Sequence, residues 1–166
     1  MPETFNVLDL RVNHAGIIDF DKFYSEVYGW FLRRGFLVQE TLHKFKPPEM
    51  EWRMNGTRRD SGYRKTEISF IFRSWDIKEI VVKSGGKEKK MWDIKIKFEM
   101  LAKMHLDYEN HFSTPFLQSL HRFLLKFILF YKFIIIEQDK VYYELIEFQR
   151  FVREQLDQTL PRGAKR

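Results

Sequence analysis

Four side chains that can ligate a metal alternate at the end of one long predicted strand: His105, Asp107, Glu109 and His111. In extended backbone all four would point to one side. Imidazoles and carboxylates of this kind bind zinc, manganese or iron. The alternative is a polar strand end that bends into a helix cap and scatters the four groups. Because no other spaced ligand reinforces the set, we expect no bound metal here.

Other patterns with chemical potential indicate structure rather than catalysis. The chain has no cysteine, which excludes disulfides and thiolate nucleophiles and suits a cytoplasmic setting. Ser84-Gly85-Gly86-Lys87 lacks the full spacing of a phosphate loop and the helix after it, so it predicts a hairpin turn. Asp19 and Asp21 are typical of a helix N-cap and first turn. We predict a non-enzymatic protein with no catalytic residue and no cofactor; the alternative is an enzyme with a dispersed or metal-assisted site.

Positive charge is concentrated in the middle of the chain. The net charge is +6, and residues 53–103 hold 14 Lys and Arg against 7 Asp and Glu. Two groups of cations belong to neighbouring hairpins. The first, with Trp52 and Tyr63 beside it, is Arg53, Arg58, Arg59, Arg64 and Lys65. The second is Lys89 and Lys90. Cations neutralise phosphates and rings stack on bases, which favours an RNA- or ribonucleoprotein-binding module. Equally, such charges keep a protein soluble and discourage edge-to-edge strand pairing.

The segment from Phe116 to Ile136 is apolar nearly all round, as in a helix buried on more than one side. A heptad seam from Leu120 to Val152 runs through this segment and beyond it. One interpretation is a homo-oligomer interface, for which we name Leu125, Ile128, Leu129, Ile135 and Ile136. Another is a helix held between the sheet and a partner helix, and a third is a peripheral membrane protein. The Lys and Arg residues within the segment disfavour a membrane span, and Met1 to Arg11 do not predict a secretory signal.

The elements that position these groups follow from periodicity. Lys90 to Tyr108 alternates apolar and polar residues, which predicts a long strand with one buried face. Turn signals, among them Asn55-Gly56, link further strands into an antiparallel meander of about four to six. A helix is predicted from the Asp19 cap to Gly35, and a helical region over 113–160, as one helix or two with a break near 137–140. We therefore predict one α+β domain over 1–160, helices on one sheet face, and a basic tail over 161–166.

Two short motifs carry a family resemblance. Asp-Phe-Asp-Lys-Phe-Tyr opens the first predicted helix (Asp19 to Tyr24), and Ser-Thr-Pro-Phe-Leu opens the last (Ser113 to Leu117). With the order of helix, meander and long helix, the chain resembles small uncharacterised archaeal α+β proteins. The resemblance implies this fold class. It implies no activity and assigns no functional residue.

Overall fold

A computed structural model of the chain describes residues 3–84 and 87–157. The strands are β1 (Glu3–Ile18), β2 (Leu37–Lys46), β3 (Glu49–Arg59), β4 (Arg64–Ser84) and β5 (Lys87–Leu106). Helix α1 (Phe20–Arg33) follows β1, and α2 (Pro115–Phe127) follows β5. The C-terminal helix begins with a π-helical stretch (Phe130–Glu137, here the π segment) and continues as α3 (Gln138–Asp157). The predicted α+β class is confirmed.

All five strands form one antiparallel sheet in the order β1-β5-β4-β3-β2. The long predicted strand is β5, and it lies between β1 and β4. Its even-numbered residues from Ile94 to Leu106 are buried, as the alternation predicts. β4 and β5 pair from Ser84 and Lys87 onward, so the predicted hairpin is present, although Gly85 and Gly86 lie outside the described residues.

One face of the sheet packs against α1 and α3 through an aromatic core. Phe70 and Phe98 stack with ring centroids 4.7 Å apart, and Phe148 of α3 lies 6.0 Å from Phe98. Phe31 of α1 meets Phe148 edge-on at 5.1 Å. Full burial of one such side chain stabilises the fold by about 1.5–3 kcal/mol. The opposite face of the sheet, here the open face, carries the alternate polar residues of every strand.

The helix ends follow the predicted capping residues. The Asp19 side chain accepts a hydrogen bond from Lys22 N at 3.2 Å. Gly35 ends α1 with a φ of +73°, a conformation that favours glycine. Thr114 accepts a hydrogen bond from Leu117 N at 3.3 Å, and Pro115 is the first residue of α2. The sequence predictions for Asp19 and Gly35 are confirmed.

The predicted turn at Asn55-Gly56 is wrong, because both residues lie inside β3. The reason for glycine is packing. A Cβ on Gly56 would lie 2.5 Å from Phe31 Cε1, so the α1 ring occupies the space that any side chain would need. The chain turns four residues later instead, between Arg59 and Arg64.

The C-terminal region is two helices, but the break lies at Ile128–Leu129 rather than near 137–140. Around 137–140 only the hydrogen-bond pattern changes, from π to α. The heptad seam is also divided. Val141, Leu145 and Phe148 pack on the sheet core, whereas Phe127 and Tyr131 face solvent. The seam therefore does not form a coiled coil within the chain.

Candidate functional site

The four potential metal ligands at the end of β5 are not brought together. Asp107 turns the chain with a φ of +53°, and its carboxylate accepts hydrogen bonds from the backbone N–H groups of His111 at 2.7 Å and Phe112 at 3.2 Å. His105 pairs instead with Glu67 at 3.0 Å. Across residues 3–84 and 87–157, no group of three or more His, Asp or Glu side chains is arranged to hold a metal ion.

Arg58 and Arg64, two of the predicted anion-binding residues, are engaged within the protein. Arg58 donates to both carboxylate oxygens of Glu144 in α3, at 2.6 and 2.9 Å, and to Asp60 at 2.8 Å. Burial works against the Arg58 charge, but these hydrogen bonds outweigh it and raise the pKa of the guanidinium. Arg64 pairs with Glu137 and lies 3.4 Å from Asp60. The two arginines fasten the sheet to the C-terminal helix, so the structure corrects their assignment to an anion-binding surface.

The other five predicted cations are dispersed. Arg53, Arg59 and Lys65 occupy open-face positions, whereas Lys89 pairs with Asp19 and Lys90 with Glu79 at 2.9 Å. The two aromatic rings predicted to lie beside these cations, Trp52 and Tyr63, do not face them. Trp52 is fully buried, and Tyr63 faces His121. The anion-binding cluster is therefore not assembled as the sequence predicted it.

Of the 17 exposed large apolar residues in the described part of the chain, nine lie on α2, on the π segment and at Ile128 between them. Phe116 is 75% exposed and Phe127 is 63% exposed, values typical of polar surface residues. Along α2 the exposed apolar positions follow four-three-four spacing, which places them in one stripe. We call the whole set the apolar helical surface; its members are Phe116, Leu120, Phe123, Phe127, Ile128, Phe130, Tyr131, Ile135 and Ile136.

Three of the five predicted interface residues belong to this surface. Ile128, Ile135 and Ile136 are exposed. Leu125 is only 6% exposed, and Leu129 packs beside it in a small cluster at the end of β5, so both belong to the protein's own core. That is a correction to the prediction. The exposed phenylalanines were not predicted, although their spacing is visible in the sequence.

A buried histidine anchors α2 to the sheet. His121 Nε2 lies 2.5 Å from the hydroxyl of Tyr63, and the Phe112 ring stacks on the imidazole at 4.5 Å. Burial lowers the pKa of His121, opposed by Asp107 and Glu3 and assisted by Arg122. Burial likewise raises the pKa of Tyr63 to about 12. Both groups are therefore neutral near pH 7, which is what a buried site without a full counter-charge requires.

The members of the apolar helical surface together expose a large area. With about 200 Å² for a fully exposed large side chain, their exposed fractions, summed over α2, Ile128 and the π segment, correspond to on the order of 900 Å². A standard protein–protein interface buries about 800 Å² on each partner. The surface is therefore large enough to be one side of an interface.

The sequence matches no protein-family model, and a search of curated proteins finds no relative. The resemblance to archaeal proteins stays a prediction. Among the helices of the described residues, none combines the length and the apolar character that crossing a membrane requires.

Proposed function

We propose that the protein is a non-enzymatic assembly protein that self-associates through the apolar helical surface. The observation that carries the proposal is the exposure of that surface on α2 and the π segment, whereas α3, which continues the π segment, buries an apolar stripe from Val141 to Leu156 against the sheet. Leaving on the order of 900 Å² of apolar area in water forgoes about 25 cal/mol per Å² of burial. Covering the area is therefore strongly favourable.

A second copy of the chain fits this surface for two reasons. The stripe Phe116, Leu120, Phe123 and Phe127 repeats at four-three-four spacing, the pattern that lets two identical helices interdigitate. Beside it, a groove of about 280 Å³ is lined by Phe5, Leu125, Phe130 and Ile134, with Arg122 and Lys126 at its rim. Such grooves accept aromatic anchors across interfaces. The chain therefore carries both the protruding rings and a recess.

The experiment measures native mass by light scattering coupled to size exclusion. We expect a discrete wild-type oligomer and a monomer after Ile128→Glu together with Ile135→Glu, because an unpaired charge buried at an interface costs several kcal/mol. The matched control is Leu37→Glu, an equally apolar and exposed residue on β2, which should keep the wild-type mass. Circular dichroism checks that each variant is folded.

Two results would contradict self-association: a wild-type monomer at high concentration, or a double variant that keeps the wild-type mass.

A second candidate, binding to a lipid surface, is favoured by Arg122, Lys126 and Lys132, which are exposed on or beside the apolar helical surface. Co-sedimentation of a monomeric wild type with anionic vesicles, lost in the double variant, would support that candidate instead.

A further inference from the structure

The open face of the sheet carries an excess of cations that the proposed assembly does not use. Over the part of the sheet that includes β5 from Asp93 to His105, strand register and the Asp76–Lys95 hydrogen bond assign to it eleven Lys and Arg residues and seven Asp and Glu residues. The cations are Arg11, Lys44, Lys46, Arg53, Arg59, Lys65, Arg73, Lys78, Lys95, Lys97 and Lys103. The anions are Asp9, Glu49, Glu51, Glu67, Asp76, Asp93 and Glu99. The core residues of α1 and α3 pack on the other face of the sheet. An uncovered cationic surface is complementary to an extended anion.

The centre of the face is a row of alternating charges across four strands. Glu99 Oε1 lies 2.9 Å from Arg11 and 3.0 Å from Lys97. Arg73 bridges the two carboxylates, at 3.2 Å from Glu99 and 3.5 Å from Glu51. Arg53 then closes the row, with Nε 2.8 Å from Glu51. Two carboxylates thus hold four cations, which leaves two positive charges over.

The carboxylates in this row keep the cations in place and neutralise only half of their charge. The hydrogen bond from Arg53 holds the pKa of Glu51 below its usual range, and that from Lys97 does the same for Glu99. Both therefore stay charged and fix the guanidinium orientations. The side chains of Arg53 and Arg73 are each 43% exposed, so N–H donors remain for a ligand. Guanidinium groups held in this way suit bidentate recognition of phosphate.

An exposed ring lies beside the row. Trp75 is 40% exposed on the open face, next to the β4 bulge at Trp75–Lys78. A groove of about 300 Å³ runs beside it, lined by the cations Lys44, Lys46 and Arg73 and by the carboxylates Glu49 and Glu51. Among the described residues, Lys44 and Lys46 have no carboxylate within ion-pair distance. A π-face with unpaired cations around it is the arrangement on which bases stack while their phosphates are neutralised.

We propose that the open face binds single-stranded nucleic acid, with the backbone along the Arg53–Arg73–Lys97 row and a base against Trp75. A flat sheet that presents a ring favours a single strand, whose bases are unstacked, over a duplex. The predicted cluster at Arg58 and Arg64 plays no part, because carboxylates of the chain occupy both guanidiniums. The residue set differs from the apolar helical surface, so the two proposals stand or fall separately.

The test is a fluorescence-anisotropy titration with a labelled mixed-sequence RNA of about 20 nucleotides, as a single strand and as a duplex, over a range of salt. Lys44→Gln with Arg53→Gln should weaken binding about 25-fold at 0.1 M salt, and the log–log salt slope should fall by about 1.4, because each lost phosphate contact removes about 0.7. Arg150→Gln with Arg153→Gln, which removes two exposed charges from α3, is the matched control and should bind as wild type.

The ring is tested separately from the charges. Trp75→Leu keeps apolar bulk but removes the π-face, so it should weaken binding about 5- to 150-fold and leave the salt slope unchanged. Trp75→Phe should restore most of the affinity. Absence of salt-sensitive binding, an equal loss in the α3 control, or wild-type affinity in Trp75→Leu would each overturn the proposal. Equal affinity for the duplex would overturn the assignment to a single strand. Repeating the titration in the Ile128→Glu, Ile135→Glu background shows whether binding needs assembly.

Discussion

The Arg58–Glu144 pair predicts that two adjacent arginines differ sharply in their contribution to stability. Arg58→Ala removes two hydrogen bonds to Glu144, one to Asp60 and one to the Arg34 carbonyl oxygen at 3.2 Å. Its side chain is 24% exposed, against 72% for Arg59, whose nearest carboxylate oxygen lies 3.9 Å away. The two arginines are neighbours in β3, and their side chains lie on opposite faces of the sheet.

The magnitude follows from burial. Removing one partner of a buried ion pair costs about 3–5 kcal/mol, and the partial exposure of Arg58 places it at the lower end, about 3 kcal/mol. Asp60 keeps Arg64 and Thr66 as partners, so Glu144 is the group left without a cation. Arg59→Ala should cost at most about 0.5 kcal/mol, as exposed pairs do. For a chain of this size the difference of about 2.5 kcal/mol corresponds to a Tm difference of about 5–10 °C.

Urea unfolding followed by circular dichroism measures these free energies, in the Ile128→Glu, Ile135→Glu background so that protein concentration does not enter. A double-mutant cycle with Glu144→Ala isolates the pair, and we expect a coupling free energy of about 2 kcal/mol. Equal stabilities of the Arg58 and Arg59 variants, or a coupling free energy near zero, would refute the reasoning that this pair fastens α3 to the sheet.

Two further predictions concern the core and the anchor of α2. Gly56→Ala should destabilise the fold by about 1–3 kcal/mol, because the new methyl overlaps Phe31, whereas Gly62→Ala, with no atom within 4 Å of the new Cβ, should change the free energy of unfolding little. The pKa of His121 is lowered in the folded chain, so the unfolded chain binds more protons as the pH falls through 6.5, the ordinary pKa of histidine, and stability is lost there. Burial also lowers the pKa of His14, which acts in the same direction. His121→Asn should therefore reduce, and not abolish, the fall in unfolding free energy between pH 7.5 and pH 5.5. An unchanged fall would contradict the burial of His121.

The strand pattern was readable from the sequence because β5 alternates without a turn residue in its way. β3 alternates as regularly, but Asn55-Gly56 reads as a turn and conceals its continuation. Period-two alternation that continues from Trp52 through Gly56 predicts Arg58 on the buried face and Arg59 on the open face, as the structure has them. The same reasoning from Phe72 places Trp75 on the open face, so the candidate ring was also accessible to period-two analysis.

The break in the C-terminal helix was not readable in this way. The polar residues 137–140 predict a helix boundary because they interrupt the apolar seam. In the structure Glu137 faces Arg64 and Lys140, so its charge serves a tertiary contact within an unbroken helix. The real break, at Ile128–Leu129, has no Gly, Pro or capping residue. Only the packing of Leu125 and Leu129 against the end of β5 marks it.

The ion pairs Arg64–Glu137 and Arg58–Glu144 also bear on the proposed assembly. The π segment and α3 form one continuous helix, which Arg64 holds at Glu137 and Arg58 holds at Glu144. The apolar helical surface ends at Ile136, one residue before the first of these contacts. A surface of exposed rings needs a rigid support if it is to meet a partner with little loss of entropy. If the arginines supply that support, Arg58→Ala should weaken self-association as well as folding stability. Sedimentation equilibrium under conditions where the variant remains folded measures this effect. An unchanged dissociation constant for self-association would show that the Arg58–Glu144 pair and the apolar helical surface are energetically independent.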